Sequence, residues 1–403
     1  MIYLDHAAGT PLIDSALKIY QESLVNHNNY ANSSSKHQLG SNLSKKIEAI
    51  RADFLSWVKA DADRYDLIFT SSTTESNNMI INSLDKSDLL KEDGNKSNNN
   101  NKSNNSNNII CYSKTDHPSI TVPISKILSK KDYQFYEFDK NIEKGIEKDI
   151  DIVNRAKFVI LTQVNNLNGF FCQAEEMAKK IKEMNKNIFI HLDAAQGFGK
   201  FKLDLSEGHI DSVATSSYKM GGPKGVALLY CKKNCYGHES NEKKIPLRPL
   251  LFGGEQESGY RSSTLNAPAI IAYHEAYKWA QNNLKNNYDR ILDFNLKIRS
   301  NFSENNSCKG IQFLYPVTNC SPYILAINIP LNISADIIQR HLDEKNIFVS
   351  TTSACSSKKK VQIQENKTQN TIRVSFGFTT TEEEVSQFIK AFIQIYGDLK
   401  KIF

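Results

Sequence analysis

The runs FVILTQVN (158–165), AEEMAKKIKEMN (174–185), IFIHLDAAQ (188–196), DSVATSS (211–217) and GVALLYC (225–231) follow one another along the chain, and their order decides the fold class. Short, almost wholly apolar runs alternate with an amphipathic stretch of helical spacing. A strand buried on both faces reads as a continuous apolar run, and strands of that kind separated by helices make βαβ units and a mainly parallel sheet. In such a sheet ligands bind beyond the carboxyl ends of the strands. The polar residues that close each run are therefore the ones to collect.

Working outward, YDLIFTSSTTESNNMIINSL (65–84) reads as strand, turn and helix, and IICYSKTDHPSI (109–120) as strand and loop. Between them, the polar run that includes GNKSNNNNKSNNSNN cannot bury enough apolar surface to offset its ordering entropy. It is expected to be a disordered surface insertion, about 85–108, within one domain. Towards the C-terminus come a long helical pattern (267–300), the apolar run YILAINIP (323–330) and a closing helix from Glu382. These suggest a smaller α+β domain. The expected organisation is an N-terminal segment (1–14) near the small domain, a large domain (15–255) and a smaller C-terminal domain (256–403).

Composition excludes several classes. With 403 residues, 40% hydrophobic and 23% charged, the chain is a globular protein of about two domains. A net charge of +6 is mild and spread along the sequence, which argues against a direct nucleic-acid binder. No stretch approaches the roughly 18 apolar residues of a membrane span, and there is no secretory leader pattern, so a cytoplasmic protein is expected. Seven scattered cysteines do not form a disulfide framework. Cys231, Cys235 and His238 have non-standard spacing for a metal site, and no metal is expected.

Three strand ends carry candidate chemistry. Ser72, Thr73 and Thr74 precede a helical run, where backbone amides and hydroxyls suit a phosphate or, equally, a simple helix cap. Asp193 closes IFIHL, with Gln196 three residues on; a carboxylate there caps a helix, binds a metal or holds a protonated ring nitrogen. Lys219 lies among Ser216, Ser217 and Tyr218, a setting that suits an amine reacting with a carbonyl cofactor. Phosphate cradle, ring carboxylate and lysine, in that order, meet the three needs of pyridoxal phosphate.

The chain resembles the cysteine desulfurases of the NifS/IscS type, class V aminotransferases of the fold-type I pyridoxal phosphate enzymes. The likeness runs over nearly all of it in the series YLDHAAGTP, NSSSKH, TSSTTESNN, TDHPSI, QVNNLNG, HLDAAQGFGK, SSYKMGGPKG, GGEQESGYRSSTLN, TTSACSS and IRVSFGFTTTEEEV. The resemblance implies that Lys219 binds pyridoxal 5'-phosphate covalently, that Asp193 holds its ring nitrogen, and that His117 stacks on the ring and moves protons. It implies Asn165 and Gln196 at the phenolic oxygen, and Thr73, Thr74, Ser216 and Tyr218 at the phosphate, with Thr264 reaching across a homodimer interface. Arg373, with Asn32 and Asn165, is implied for the substrate, the arginine pairing its carboxylate. Cys355, followed by three lysines, is implied as the nucleophile that takes the sulfur.

The implied function is conversion of L-cysteine to L-alanine with transfer of persulfide sulfur to an acceptor protein, a scaffold for iron-sulfur cluster assembly or a tRNA-thiolation enzyme. Two other readings stay open: another lyase of the superfamily, acting on selenocysteine or cysteine sulfinate without Cys355, and a degenerate, non-catalytic scaffold. Tyr218 stands where the family has histidine, Leu167 and Asn168 replace its glutamate-containing continuation, and Gly9 replaces a threonine.

Overall fold

The computed structural model describes residues 1–84, 109–128, 134–138, 150–233, 247–351 and 370–402. The expected insertion at 85–108 and the Cys355 loop both lie outside the described residues. In chain order the strands are β1 (Ile2–Tyr3), β2 (Tyr65–Thr70), β3 (Ile109–Ser113), β4 (Gln134–Phe138), β5 (Ala156–Thr162), β6 (Phe189–Asp193), β7 (Ser212–Ala214), β8 (Ala227–Lys232), β9 (Gln312–Phe313), β10 (Ile324–Asn328), β11 (Ile347–Phe348), β12 (Ser350–Thr351) and β13 (Thr371–Ser375).

The chain divides into two compact units. The larger, residues 12–163 and 172–279, holds a seven-stranded sheet in the order β2-β8-β7-β6-β5-β3-β4. β8 runs antiparallel to both its neighbours, and the remaining pairs are parallel. Two reversals restore direction, so β2 runs with β7, and the carboxyl ends of β2, β3, β5, β6 and β7 share one edge. Every residue of β3, β6 and β7 is buried, as expected for strands covered on both faces. Helix Thr73–Leu84 lays Met79, Ile80 and Leu84 into a cluster with Ile110, Ile160 and Leu229. On another face, Phe198 stacks on Tyr277 at 4.4 Å between ring centroids, and Phe54 packs against Tyr273 and Tyr277.

The smaller unit comprises residues 1–11, 164–171 and 280–403. Its four-stranded antiparallel sheet has the order β12-β13-β10-β9, and β1 pairs in parallel with β11. The N-terminal segment is stitched in: the Leu4 amide donates to Phe348 O at 2.9 Å, and the Ser375 amide donates to Leu4 O at 2.8 Å. The division differs from the expected organisation in three places. Residues 12–14 join the larger unit, where the Ile13 amide donates to Gly221 O at 3.0 Å. Tyr273 and Tyr277 pack in the aromatic cluster of the larger unit, which carries the boundary to 279. Residues 164–171 join the smaller unit because Ser321 N donates to Gly169 O at 2.8 Å and Phe170 bridges to Cys320. No helix among the described residues is long and apolar enough to cross a membrane.

Candidate active site

At the edge where the parallel strands end, β6 delivers Asp193, which is buried. Its carboxylate accepts from Asn77 Nδ2 at 2.9 Å and from the Ala195 amide at 2.9 Å. Both donors are neutral, and Asp193 makes no ion pair among the described residues. A buried carboxylate without a counter-cation is costly unless a positive group meets it. A protonated pyridine nitrogen would supply that charge.

The start of helix Thr73–Leu84 follows β2 directly. Ser72 Oγ accepts from the Glu75 amide at 3.1 Å, and Glu75 reaches back to the Ser71 amide at 2.6 Å, a reciprocal cap. The amides that open a helix lack intrahelical acceptors, which makes an anion site when hydroxyls stand beside them. Thr74 is exposed there, while the Thr73 hydroxyl donates to Thr215 O at 2.5 Å. Thr73 therefore has its backbone N–H to offer a phosphate, its hydroxyl proton being committed. Arg261 ties the loop that precedes Thr264 to this turn, its Nε lying 3.2 Å from Glu75. Thr264 is exposed. Arg51 and the buried carboxylate of Glu257 hold the same loop from behind at 2.8 Å.

After β7, Ser216 and Ser217 are buried while Tyr218 and Lys219 are partly open. The Lys219 ammonium lies 5.7 Å from the centre of the Tyr218 ring. Burial, then Asp193, pushes the Tyr218 phenol above its ordinary range, so it meets a phosphate as a neutral donor. Gln196 is buried in the turn after Asp193.

His117 follows β3 and precedes helix Pro118–Pro123. Though exposed as a residue, it has its Nδ1 turned inward, 2.8 Å from Ser119 Oγ and accepting from the Ser119 amide at 3.1 Å. Desolvation lowers its pKa, with Lys219 acting in the same direction and Asp193 opposing. The preceding residue, Asp116, is buried and accepts from Thr162 Oγ1 at 2.7 Å and the Ser113 amide at 2.8 Å. Burial raises its carboxyl to about 7.

In the smaller unit stand the candidates for the substrate. Arg373, at the centre of β13, is buried; its Nη1 donates to Asn166 O at 2.8 Å and its Nη2 to Asp5 Oδ1 at 2.7 Å. Its Nε is buried with no hydrogen-bond partner among the described residues. Asn165 is also in this unit, and its Oδ1 accepts from the amides of Leu167 and Asn168, shaping the turn. The Leu167–Asn168 departure thus falls on a turn that Asn165 itself organises. Asn32, in the larger unit, is exposed and accepts from the Ser34 amide at 2.9 Å. Cys355 lies outside the described residues.

The structure brings Asp193, His117, Thr73, Ser216, Tyr218 and Lys219 to one edge of one sheet, and puts Asn165 and Arg373 in the other unit. Reading the sequence missed Asn77, Ser119, His191 and Lys200. Asn77 is four residues past Thr73, on the same helix face, and His191 is two before Asp193, on the same face of its strand; those spacings are the signal that was available. Lys200 is buried, and desolvation together with the Lys219 charge brings its ammonium to about 7.

The residues present suit pyridoxal phosphate: a buried acceptor lacking a cation, an amine, and a helix start lined with hydroxyls. The aminotransferase class V family model matches residues 2–388. The chain is 27% identical to a putative cysteine desulfurase IscS 1 of Bacillus subtilis, covering 96% of this chain and 97% of that protein. It is 28% identical to a NifS/IcsS protein homolog of Lactobacillus delbrueckii subsp. bulgaricus, over 100% and 99%. Among solved structures, a NifS-like protein superposes with a TM-score of 0.79 at 25% identity, covering 98% of both chains. A NifS-like protein from Rickettsia africae shares the fold at a TM-score of 0.79 and 24% identity, over 98% of this chain and 99% of that one.

Proposed function

The chain belongs to the class V aminotransferase family, and from that premise we propose which of its residues carry the reaction. It is a cysteine desulfurase of the NifS/IscS type, dependent on pyridoxal 5'-phosphate and acting on L-cysteine. The cofactor supplies an aldehyde that captures amines and a ring that draws electrons from the substrate carbon.

In this reading Lys219 would hold the cofactor's aldehyde, and its amine is the base placed to take the proton from the substrate Cα and to return it. Asp193 keeps the ring nitrogen protonated. The helix start at Thr73 and Thr74, with Ser216 and Tyr218, binds the phosphate; Asn165 and Gln196 serve the phenolic oxygen. His117 moves a proton through its outer nitrogen. Arg373 receives the substrate carboxylate through its fork, assisted by Asn32 and Asn165. The Cys355 thiolate would attack the substrate sulfur, the sulfur–sulfur bond forming as the carbon–sulfur bond breaks with its electron pair to Cβ; protonation of Cβ and return of the proton to Cα would yield alanine while Cys355 carries the persulfide. We place the enzyme in the cytoplasm as a homodimer with Thr264 serving the neighbouring subunit's phosphate. Its sulfur goes to a scaffold for iron-sulfur clusters or a tRNA-thiolation enzyme. The five described cysteines are all free thiols, which suits a reducing compartment.

The observation that carries this reading is the buried, unpaired Asp193 carboxylate on the same sheet edge as Lys219 and the hydroxyl-lined helix start. The test is mass spectrometry after incubation with cysteine. One sulfur atom added at Cys355, with alanine in solution, is expected; Cys355→Ala should keep bound cofactor yet release no sulfur. Unchanged turnover in Cys355→Ala would instead support a lyase that needs no protein thiol. Absence of cofactor absorbance in the wild type, and of reductive trapping at Lys219, would reject the enzyme altogether.

A further inference from the structure

Beneath Asp193 runs a chain of hydrogen bonds whose direction is set by its members. Asp193 Oδ2 accepts, so the group of Asn77 that faces it at 2.9 Å is the amide nitrogen. That orientation points Asn77 Oδ1 at His191 Nε2, 2.9 Å away, which must then carry the proton. His191 is fully buried and neutral, desolvation having lowered its pKa to about 4 against the pull of Asp193. Its Nδ1 is therefore a lone pair, and the Ser212 hydroxyl donates to it at 2.7 Å.

The second proton of Asn77 Nδ2 goes to Ser119 Oγ at 2.9 Å. Having accepted there, the Ser119 hydroxyl donates onward to His117 Nδ1 at 2.8 Å, and the Ser119 amide donates to the same nitrogen. A proton on Nδ1 would face two donors. His117 is thereby left with its exchangeable proton on Nε2. The charged groups that face this ring are Asp193 from β6 and Lys219 from the segment after β7.

We propose that Asn77 is a positioning residue that sets both the carboxylate of Asp193 and the tautomer of His117, so that the ring anchor and the proton carrier are held by one buried amide. Fully buried, it acts through these two residues. The inference rests on the assignment of Asp193 and His117 to the cofactor, but the hydrogen-bond polarity exists in the protein without it.

The test uses the full chain labelled with 15N-histidine, compared with Asn77→Ala and Ser119→Ala. His117 is assigned by loss of its signals in His117→Gln. The wild type should show His117 as the Nε2–H form. Asn77→Ala should give a mixture of tautomers and bind pyridoxal phosphate about tenfold more weakly in a titration of the apoenzyme, while Ser119→Ala should disturb the tautomer and keep affinity within about twofold. An Nδ1–H form in the wild type overturns the proposal. So do unchanged His117 signals in Asn77→Ala, even if affinity falls, because that pattern is general damage. Should Asn77→Ala fail to fold, unchanged His117 signals in Ser119→Ala overturn it alone. A wild type that binds no pyridoxal phosphate but keeps the Nε2–H form would instead reject the function proposed above and leave the network standing.

Discussion

Asp193 and Arg373 are both buried charges, and the protein holds them by opposite means. Around Asp193, at the end of the seven-stranded sheet, both donors among the described residues are neutral: the Asn77 amide and a backbone N–H. Around Arg373, in the smaller unit, the partner is a carboxylate, Asp5, that lies 368 residues away in sequence. Neutral donors hold a charge in place without cancelling it, so it remains available to a ligand. An ion pair cancels much of it, and whatever approaches Arg373 must share a guanidinium already half engaged. The difference suits a carboxylate that waits for a resident cationic ring and an arginine that meets a passing substrate.

The sharpest way to break this comparison is through Asp116, a second strand-end carboxylate held by neutral donors. Its folded pKa of about 7 lies above its unfolded value near 4, so the folded state binds the proton more tightly. Stability from this group is therefore fully present below pH ~4 and is lost as pH rises through ~7, on the order of 4 kcal/mol in all. Asp116→Asn can accept from the Ser113 amide and donate to Thr162 Oγ1, so it should fold. Urea unfolding between pH 4 and 8 should show the variant without that loss; parallel curves would mean the neutral donors do not leave the charge costly.

On the other side, Asp5→Ala strands the Arg373 guanidinium, whose side chain is only 6% exposed. Removing one partner of a buried pair costs about 3 kcal/mol or more. The urea midpoint should fall, with the shift nearly independent of salt between 0.05 and 0.5 M because the pair is screened little. A change under about 1 kcal/mol would make Asp5 incidental. If Arg373 binds the substrate carboxylate, KM for cysteine should change more than kcat.

His191 tests how far the sheet edge relies on neutrality. Its folded pKa, about 4, lies below the unfolded value, so its contribution is present above pH ~6.5 and fades as pH falls towards ~4, by about 3 kcal/mol. His191→Gln should flatten stability over that window, and an unchanged slope would show that acid unfolding starts elsewhere. The smallest effect is expected at the helix start. Ser72→Ala removes the acceptor for the Glu75 amide and should cost about 1 kcal/mol by thermal unfolding. A loss several times larger would mean that the turn is held by something other than its cap.

Much of this architecture was legible along the chain. Apolar runs such as FVILT and IFIHL alternate with helical stretches, and the physics of two-faced burial leaves little besides a mainly parallel sheet with polar residues at its strand ends. Asp193, His117 and Lys219 close or follow such runs, so local pattern exposes them. The residues that hold them carry only a fainter mark, their spacing from Thr73 or Asp193 on one face. Asn77 sits mid-helix and His191 mid-strand, where either would pass for packing, and Asp5 and Arg373 stand at opposite ends of the chain. Periodicity is a property of neighbours in sequence, and hydrogen-bond polarity and ion pairing belong to neighbours in space. Element types and candidate chemical groups therefore follow from residue order. Which amide faces Asp193, which nitrogen of His191 keeps its proton and which carboxylate meets Arg373 were settled when folding brought distant segments within 3 Å.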